Sequence, residues 1–278
     1  MRKLISANIF RLWRSKAFWF VALAMFVWGA TVYTFFHINA MNMGIEGAQH
    51  NVYFFNGILC LGAAIAVFCS FFIGSECGDG TLRNKLTVGH TRVGIYLSNF
   101  IISGMAGILF MIAFWIGAML VGLTTEGMVI LTGVQHPIPG ILCSFMVAIV
   151  YASIYCFVAM TDSNKTRSAV IGLALAVFLF AGGFATQDGL DQPEYTYRMV
   201  LSENGEYELE GNIPNSKYLT GTKRVVYECI DAVLPSCHAL RPILTEAEYS
   251  ATMPVCAAGV TVVMTLGGIC IFRKKDLK

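Results

Sequence analysis

Residues 94–123 read GIYLSNFIISGMAGILFMIAFWIGAMLVGL, a run of thirty positions without Asp, Glu, Lys or Arg. A helix crosses the hydrocarbon core of a bilayer with about 20 apolar residues. A surface helix of a soluble domain keeps a charged face toward water, and this stretch has none. Five further runs are equally free of charge, at 17–38, 52–74, 138–160, 168–186 and 251–272. The composition agrees. Hydrophobic residues make up 56% of the 278-residue chain and charged residues 13%, against about 25% charged in a typical soluble domain. A transmembrane β-barrel is excluded, because its strands alternate apolar and polar residues. A net charge of +2 gives no basic footprint for nucleic acid. The expected fold class is an all-α polytopic membrane protein with six transmembrane helices.

The cations orient these spans. Five precede the first (Arg2, Lys3, Arg11, Arg14, Lys16), three follow the second (Arg83, Lys85, Arg92), two follow the fourth (Lys165, Arg167), and four lie in the tail (Arg273, Lys274, Lys275, Lys278). The short loops on the other side carry none. The remaining five lie in 187–250, long enough to translocate regardless of charge. Both termini are therefore expected in the cytoplasm and 187–250 outside. A cleaved signal peptide does not fit five leading cations, a long first run and five later spans. In 1–16, Leu4, Ile5, Ile9, Leu12 and Trp13 fall on one helical face, with Arg2, Lys3, Arg11 and Arg14 mostly on the other. That pattern predicts an amphipathic helix in the headgroup plane, in contact with membrane lipid.

Small residues four apart mark where helices approach closely in lipid. The second span carries Gly62, Ala66, Ser70 and Gly74, and the fourth Ser144, Ala148, Ala152 and Cys156. Each ladder predicts a contact face, against this chain or a second copy.

Absent chemistry narrows function. There is no phosphate-binding Gly-Lys-Ser/Thr loop and no His-Glu-x-x-His zinc motif. No ionisable residue lies inside the charge-free runs, where a proton- or sodium-driven carrier would keep its coupling groups. His37, His50, His90 and His136 read as loop or span-end residues. No zinc-type Cys-x-x-Cys occurs, so no metal site is expected. Of nine cysteines only Cys229 and Cys237 fall in the outer segment, where they form a candidate disulfide.

The segment Glu76-Cys-Gly-Asp-Gly-Thr-Leu-Arg-Asn-Lys-Leu reads as a glycine-rich turn leaving the second span, then a short helix over 81–88 broken by Gly89-His-Thr-Arg. With Ile95-Tyr-Leu-Ser-Asn after it, it closely resembles the permease subunits of type-2 ATP-binding-cassette exporters. The basic start ending in Arg14-Ser-Lys-Ala-Phe-Trp is similar too. So is Lys217-Tyr-Leu-Thr-Gly-Thr-Lys-Arg-Val-Val-Tyr-Glu before Leu234-Pro-Ser, as in bacterial permeases with an enlarged last outer loop. Cys77 departs from the family pattern, which often has an aromatic or polar residue there. The resemblance implies a multi-pass protein of the bacterial plasma membrane, not itself an enzyme. It would pair with a second permease copy or a sister permease and with an ABC ATPase that binds ATP and magnesium. By motif, Glu76, Gly80, Thr81, Arg83, Lys85 and Arg92 would couple it to that ATPase.

The domain organisation expected is an in-plane helix at 1–16, five spans over 17–186 with a coupling loop at 75–93, an outer domain at 187–250, and a sixth span with basic tail at 251–278. The outer segment holds 11 acidic and five basic residues. Alternation at Tyr195, Tyr197, Met199 and Leu201, a turn at Asn204-Gly205, and alternation at Tyr207 and Leu209 predict a hairpin. Val225, Val226, Cys229, Ile230 and Val233 predict a helix over 223–234 ended by Pro235. The outer segment is thus a small α+β domain. Tyr33, Thr34, Asn56 and Phe184 are candidate substrate-pathway residues, with helix packing as the alternative. An ATP-driven exporter of a peptide, drug-like or lipid-like substrate is the leading function. A non-transporting peptide receptor or immunity protein, and a membrane enzyme using serine or cysteine, stand as the other two.

Overall fold

The computed structural model describes residues 1–43, 50–125, 134, 136–162, 164–201, 207–243 and 252–275. Helix α1 (Arg2–Arg14) leads through an extended Ser15 into α2 (Lys16–Met43), the first span. The second is α4 (Gly57–Gly78), preceded by the short α3 (His50–Phe55) and followed by α5 (Thr81–Thr87). Spans three to five are α6 (Arg92–Thr125), α7 (Pro137–Thr161) and α8 (Lys165–Leu190). Then come β1 (Tyr195–Leu201), β2 (Tyr207–Pro214), α9 (Gly221–Val233), α10 (Pro235–Leu240) and a 3-10 turn at Arg241–Ile243. The sixth span is α11 (Thr252–Lys274).

Local chemistry sets the breaks. Gly80 and Gly89 take φ of +66° and +93°, a left-handed backbone that costs glycine little, and they bracket α5. Pro137 starts α7, where its missing N–H is no loss. The Asn164 side chain accepts hydrogen bonds from the Thr166 and Arg167 amides at 2.9 and 3.3 Å and caps α8.

Spans two, three and four form the inside of the bundle, and spans one, five and six present mostly open faces. Phe18, Phe68 and Phe110, from spans one to three, meet with ring centroids 5.6–6.4 Å apart. Spans one and three approach until backbone meets backbone. A Cβ at Gly29 would stand 2.2 Å from the Phe114 carbonyl oxygen, and one at Gly117 would stand 2.1 Å from that of Phe26.

Both small-residue ladders find partners within the chain. On the second span, Ala66 faces Gly172, the Ser70 and Ser168 hydroxyls lie 3.2 Å apart, and Gly74 seats on Lys165, all on span five. Gly62 faces the Tyr151 ring of span four. The fourth-span ladder turns to span three, where a Cβ at Gly107 would stand 3.3 Å from Ala148 Cβ.

The strands form an antiparallel pair in the register Leu201↔Tyr207 and Met199↔Leu209, with an irregularity between Thr196 and Arg198. The expected Asn204-Gly205 turn lies outside the described residues. The helix expected at 223–234 starts earlier, at Gly221, and Pro235 opens α10 instead of ending the helical segment. Span five runs to Leu190, so Gln187 and Asp188, expected in the outer domain, belong to its last turn.

Candidate functional site

The loop after the second span was expected to start as a glycine-rich turn at Gly74. The helix instead continues to Gly78 and carries Glu76 inward, to 2% exposure. Packing of Gly74 on Lys165 offsets the helical cost of two glycines, about 1 kcal/mol each.

A buried carboxylate requires partners, and Glu76 draws them from three other helices. Arg11 of α1 and Lys85 of α5 both pair with its Oε1. The Asn99 side chain of α6 donates to Oε2 at 3.0 Å. Asn8 completes the cluster: its Oδ1 accepts from Lys85 Nζ at 3.1 Å, and its Nδ2 donates to Ser98 Oγ at 2.8 Å and Asn99 Oδ1 at 3.2 Å. Arg11 also donates to the Phe72 carbonyl at 2.7 Å and lies 3.6 Å over the Phe72 ring. The Thr81 hydroxyl donates to the Glu76 carbonyl at 3.1 Å and ties the start of α5 to the end of α4. Burial lowers the Arg11 guanidinium to about 10, opposed by Asp79. Burial, with Arg11 adding to it, lowers the Lys85 ammonium to about 8.

Two expectations change here. Arg11, assigned to the polar face of α1, is turned inward, because α1 buries Leu4, Asn8 and Leu12 and Glu76 lies beneath that face. Lys85, expected to face a partner alongside Arg83, reaches back to Glu76. The open side of α5 is Arg83, Asn84, Thr87 and Val88, the last 78% exposed, while Leu82 anchors the inner side. Gly80 supplies the left-handed turn before α5. Arg92 points away from the cluster. It donates to the Phe272 carbonyl at 2.8 Å, and Lys275 donates to the Met160 carbonyl at 2.9 Å, so the sixth span is fastened at the same end.

Of the expected coupling residues, the structure gathers Glu76, Thr81 and Lys85 into one cluster. Gly80 lies at its edge, Arg83 at the surface and Arg92 on the sixth span. Asn8, Arg11, Ser98 and Asn99 were missed. The usable signal was polar side chains in otherwise apolar helical faces.

The candidate pathway residues do not converge. Tyr33 is fully buried, with its ring centroid 5.4 Å from that of Tyr53. Thr34, one residue on, is exposed and bonds the Ala30 carbonyl of its own helix. Asn56 is half-buried at the joint of α3 and α4, and Phe184 is 46% exposed on the outside of span five. Cys229 and Cys237, the candidate disulfide, are both free thiols: Cys229 is exposed on α9 and Cys237 buried on α10. Among the described residues no cluster of His, Cys, Asp or Glu could hold a metal ion.

The opposite end holds a second polar cluster that sequence reading missed. Asp231 accepts from Arg241 at 2.6 Å and from Gln187 at 2.5 Å. His238, the fifth histidine, is buried beside it, with Nε2 3.1 Å from the Ala232 carbonyl oxygen. Burial lowers the His238 imidazole and favours its neutral form.

Compared with known families, residues 4–183 match the family described as ABC-2 family transporter protein. No curated protein matches the chain.

Proposed function

This chain belongs to the ABC-2 transporter family, as a membrane permease subunit, and from that premise we propose that α5 is the helix through which a separate ATPase drives it. The observation that carries this reading is the clasp on Glu76. It joins α1, α4, α5 and α6 through one buried carboxylate, so a push on α5 reaches spans two and three and the N-terminal helix together.

The division of labour on α5 follows. Arg83, Asn84, Thr87 and Val88 meet the ATPase, and Lys85, Thr81 and Glu76 pass the displacement inward. The ATP and magnesium belong to the ATPase. Closure of its nucleotide sites shifts the spans as rigid bodies and opens a seam between this permease and a second copy or sister permease. The positive-inside pattern puts α1, α5 and the tail in the cytoplasm and 187–250 outside the bacterial plasma membrane. Export of a peptide, drug-like or lipid-like substrate fits that orientation.

The test is Arg83→Glu in the permease co-expressed with its ATPase. Copurification and transport-linked ATP hydrolysis should be lost. Thermal unfolding of the permease should stay within about 0.5 kcal/mol of the parent, as for an exposed side chain. Unchanged coupled transport in that variant overturns the assignment.

A further inference from the structure

Helix α9 carries an apolar stripe of Val225, Val226, Cys229, Ile230 and Val233, continued by Leu234, and the chain leaves it open. Val225, Val226 and Val233 are 50–56% exposed, and α9 contains no buried residue. On an ordinary water-facing domain such a stripe would be a liability.

The depth of the helix gives it a different meaning. The Tyr227 ring packs on Gly189 of span five, Leu234 reaches Gly182, and the Ser236 hydroxyl donates to the Leu179 carbonyl at 2.6 Å. From Tyr227 to Ser236 the chain therefore descends ten residues of span five, about 15 Å at about 1.5 Å per residue. A hydrocarbon core of about 30 Å is spanned by about 20 helical residues. Counted from Ser168, just past the last cation of span five, those residues end near Gln187. Gly182 and Leu179 thus lie at hydrocarbon depth, and so do the end of α9 and all of α10.

The charges are arranged for that depth. Asp231, the one ionisable side chain in the lower turn of α9, is turned inward to Arg241 and Gln187. Lys223, Arg224 and Glu228 stay in the upper turns, with Arg224 and Glu228 paired. All six residues of α10 are buried. A charged group carried into hydrocarbon must be paired, whereas an exposed apolar stripe there costs nothing. The stripe also continues the open apolar face of span five, where Phe180 and Phe184 are 41% and 46% exposed.

We propose that Gly221–Ile243 is a re-entrant segment of the membrane, with the stripe on α9 covered by phospholipid acyl chains of the adjoining leaflet. This revises the view of 187–250 as a domain wholly in water: the strand pair stands outside, and α9 dips in. The proposal does not rest on the coupling role of α5.

Native Cys229 provides the probe. In the full-length chain, with Cys60, Cys77, Cys256 and Cys270 replaced by alanine, a nitroxide is attached at Cys229. The chain is reconstituted in vesicles of phosphatidylcholine and phosphatidylglycerol. The ratio of oxygen to nickel-chelate collision rates should exceed one at Cys229. It should rise further at Val233→Cys and fall below one at Lys223→Cys, each labelled in a background that also carries Cys229→Ala. A ratio below one along the whole stripe puts α9 in water and overturns the proposal. Low collision rates with both agents, together with spin–spin broadening, put a second copy on the stripe and overturn it equally.

Discussion

Each end of the bundle buries a carboxylate against an arginine, yet the two clusters differ in reach. Glu76 collects two cations and an amide from three other helices, and its side chain is 1% exposed. Asp231 has one arginine ten residues along its own segment and one glutamine from span five, and its side chain is 15% exposed. The first cluster makes one mechanical unit of elements distant in sequence. The second seals a local fold-back against a single span. A buried ion pair is weak evidence for stability but a good means of fixing relative positions. Its consequence therefore depends on how many elements share it.

The sharpest way to break this contrast is to remove the two acids in turn. Glu76→Ala strands Arg11 and Lys85 against apolar surface and should cost about 3–5 kcal/mol, read as loss of thermal stability in detergent. Glu76→Gln, which keeps the shape and one acceptor, should lose less. Asp231→Ala leaves Arg241 unpaired but nearer water and should cost about 1–3 kcal/mol. Equal losses at the two sites would erase the distinction.

The smallest effect sharpens it. Folded, Lys85 gives up its proton as pH rises through about 8; unfolded, it would do so near 10.5. Between those values the unfolded chain holds the extra proton, so this group's own contribution to stability rises with pH. Coupled ATP hydrolysis should nevertheless fall through that window, because neutral Lys85 loosens its hold on Glu76. Lys85→Arg, charged throughout, should flatten the profile. A parent profile that is already flat would remove Lys85 from the clasp. The far-end cluster has no counterpart to this behaviour on α5.

The six spans were legible because each is a charge-free run longer than the hydrocarbon is thick. The ladders were legible as contact faces, since small side chains at a spacing of four can only serve close approach. Their partners were not, because Gly74 carries no mark of Lys165. Glu76 was read as a turn residue, since glycines on both sides suggest a break, and tertiary packing overrode that preference. Asn8 and Asn99 stand 91 positions apart yet share a hydrogen bond. Arg11 looked like any headgroup-facing cation until the acid beneath it was in view.

The amino-acid order alone determined how many times the chain crosses the bilayer and which loops share a side. Those properties follow from transfer free energies summed along the chain, and each residue contributes whatever its neighbours in space. Tertiary structure alone decided which charges meet, which cation of α5 faces outward and how deep α9 lies. Ion pairing and packing act over a few ångströms between segments far apart in sequence. Such distances exist only once the helices have assembled.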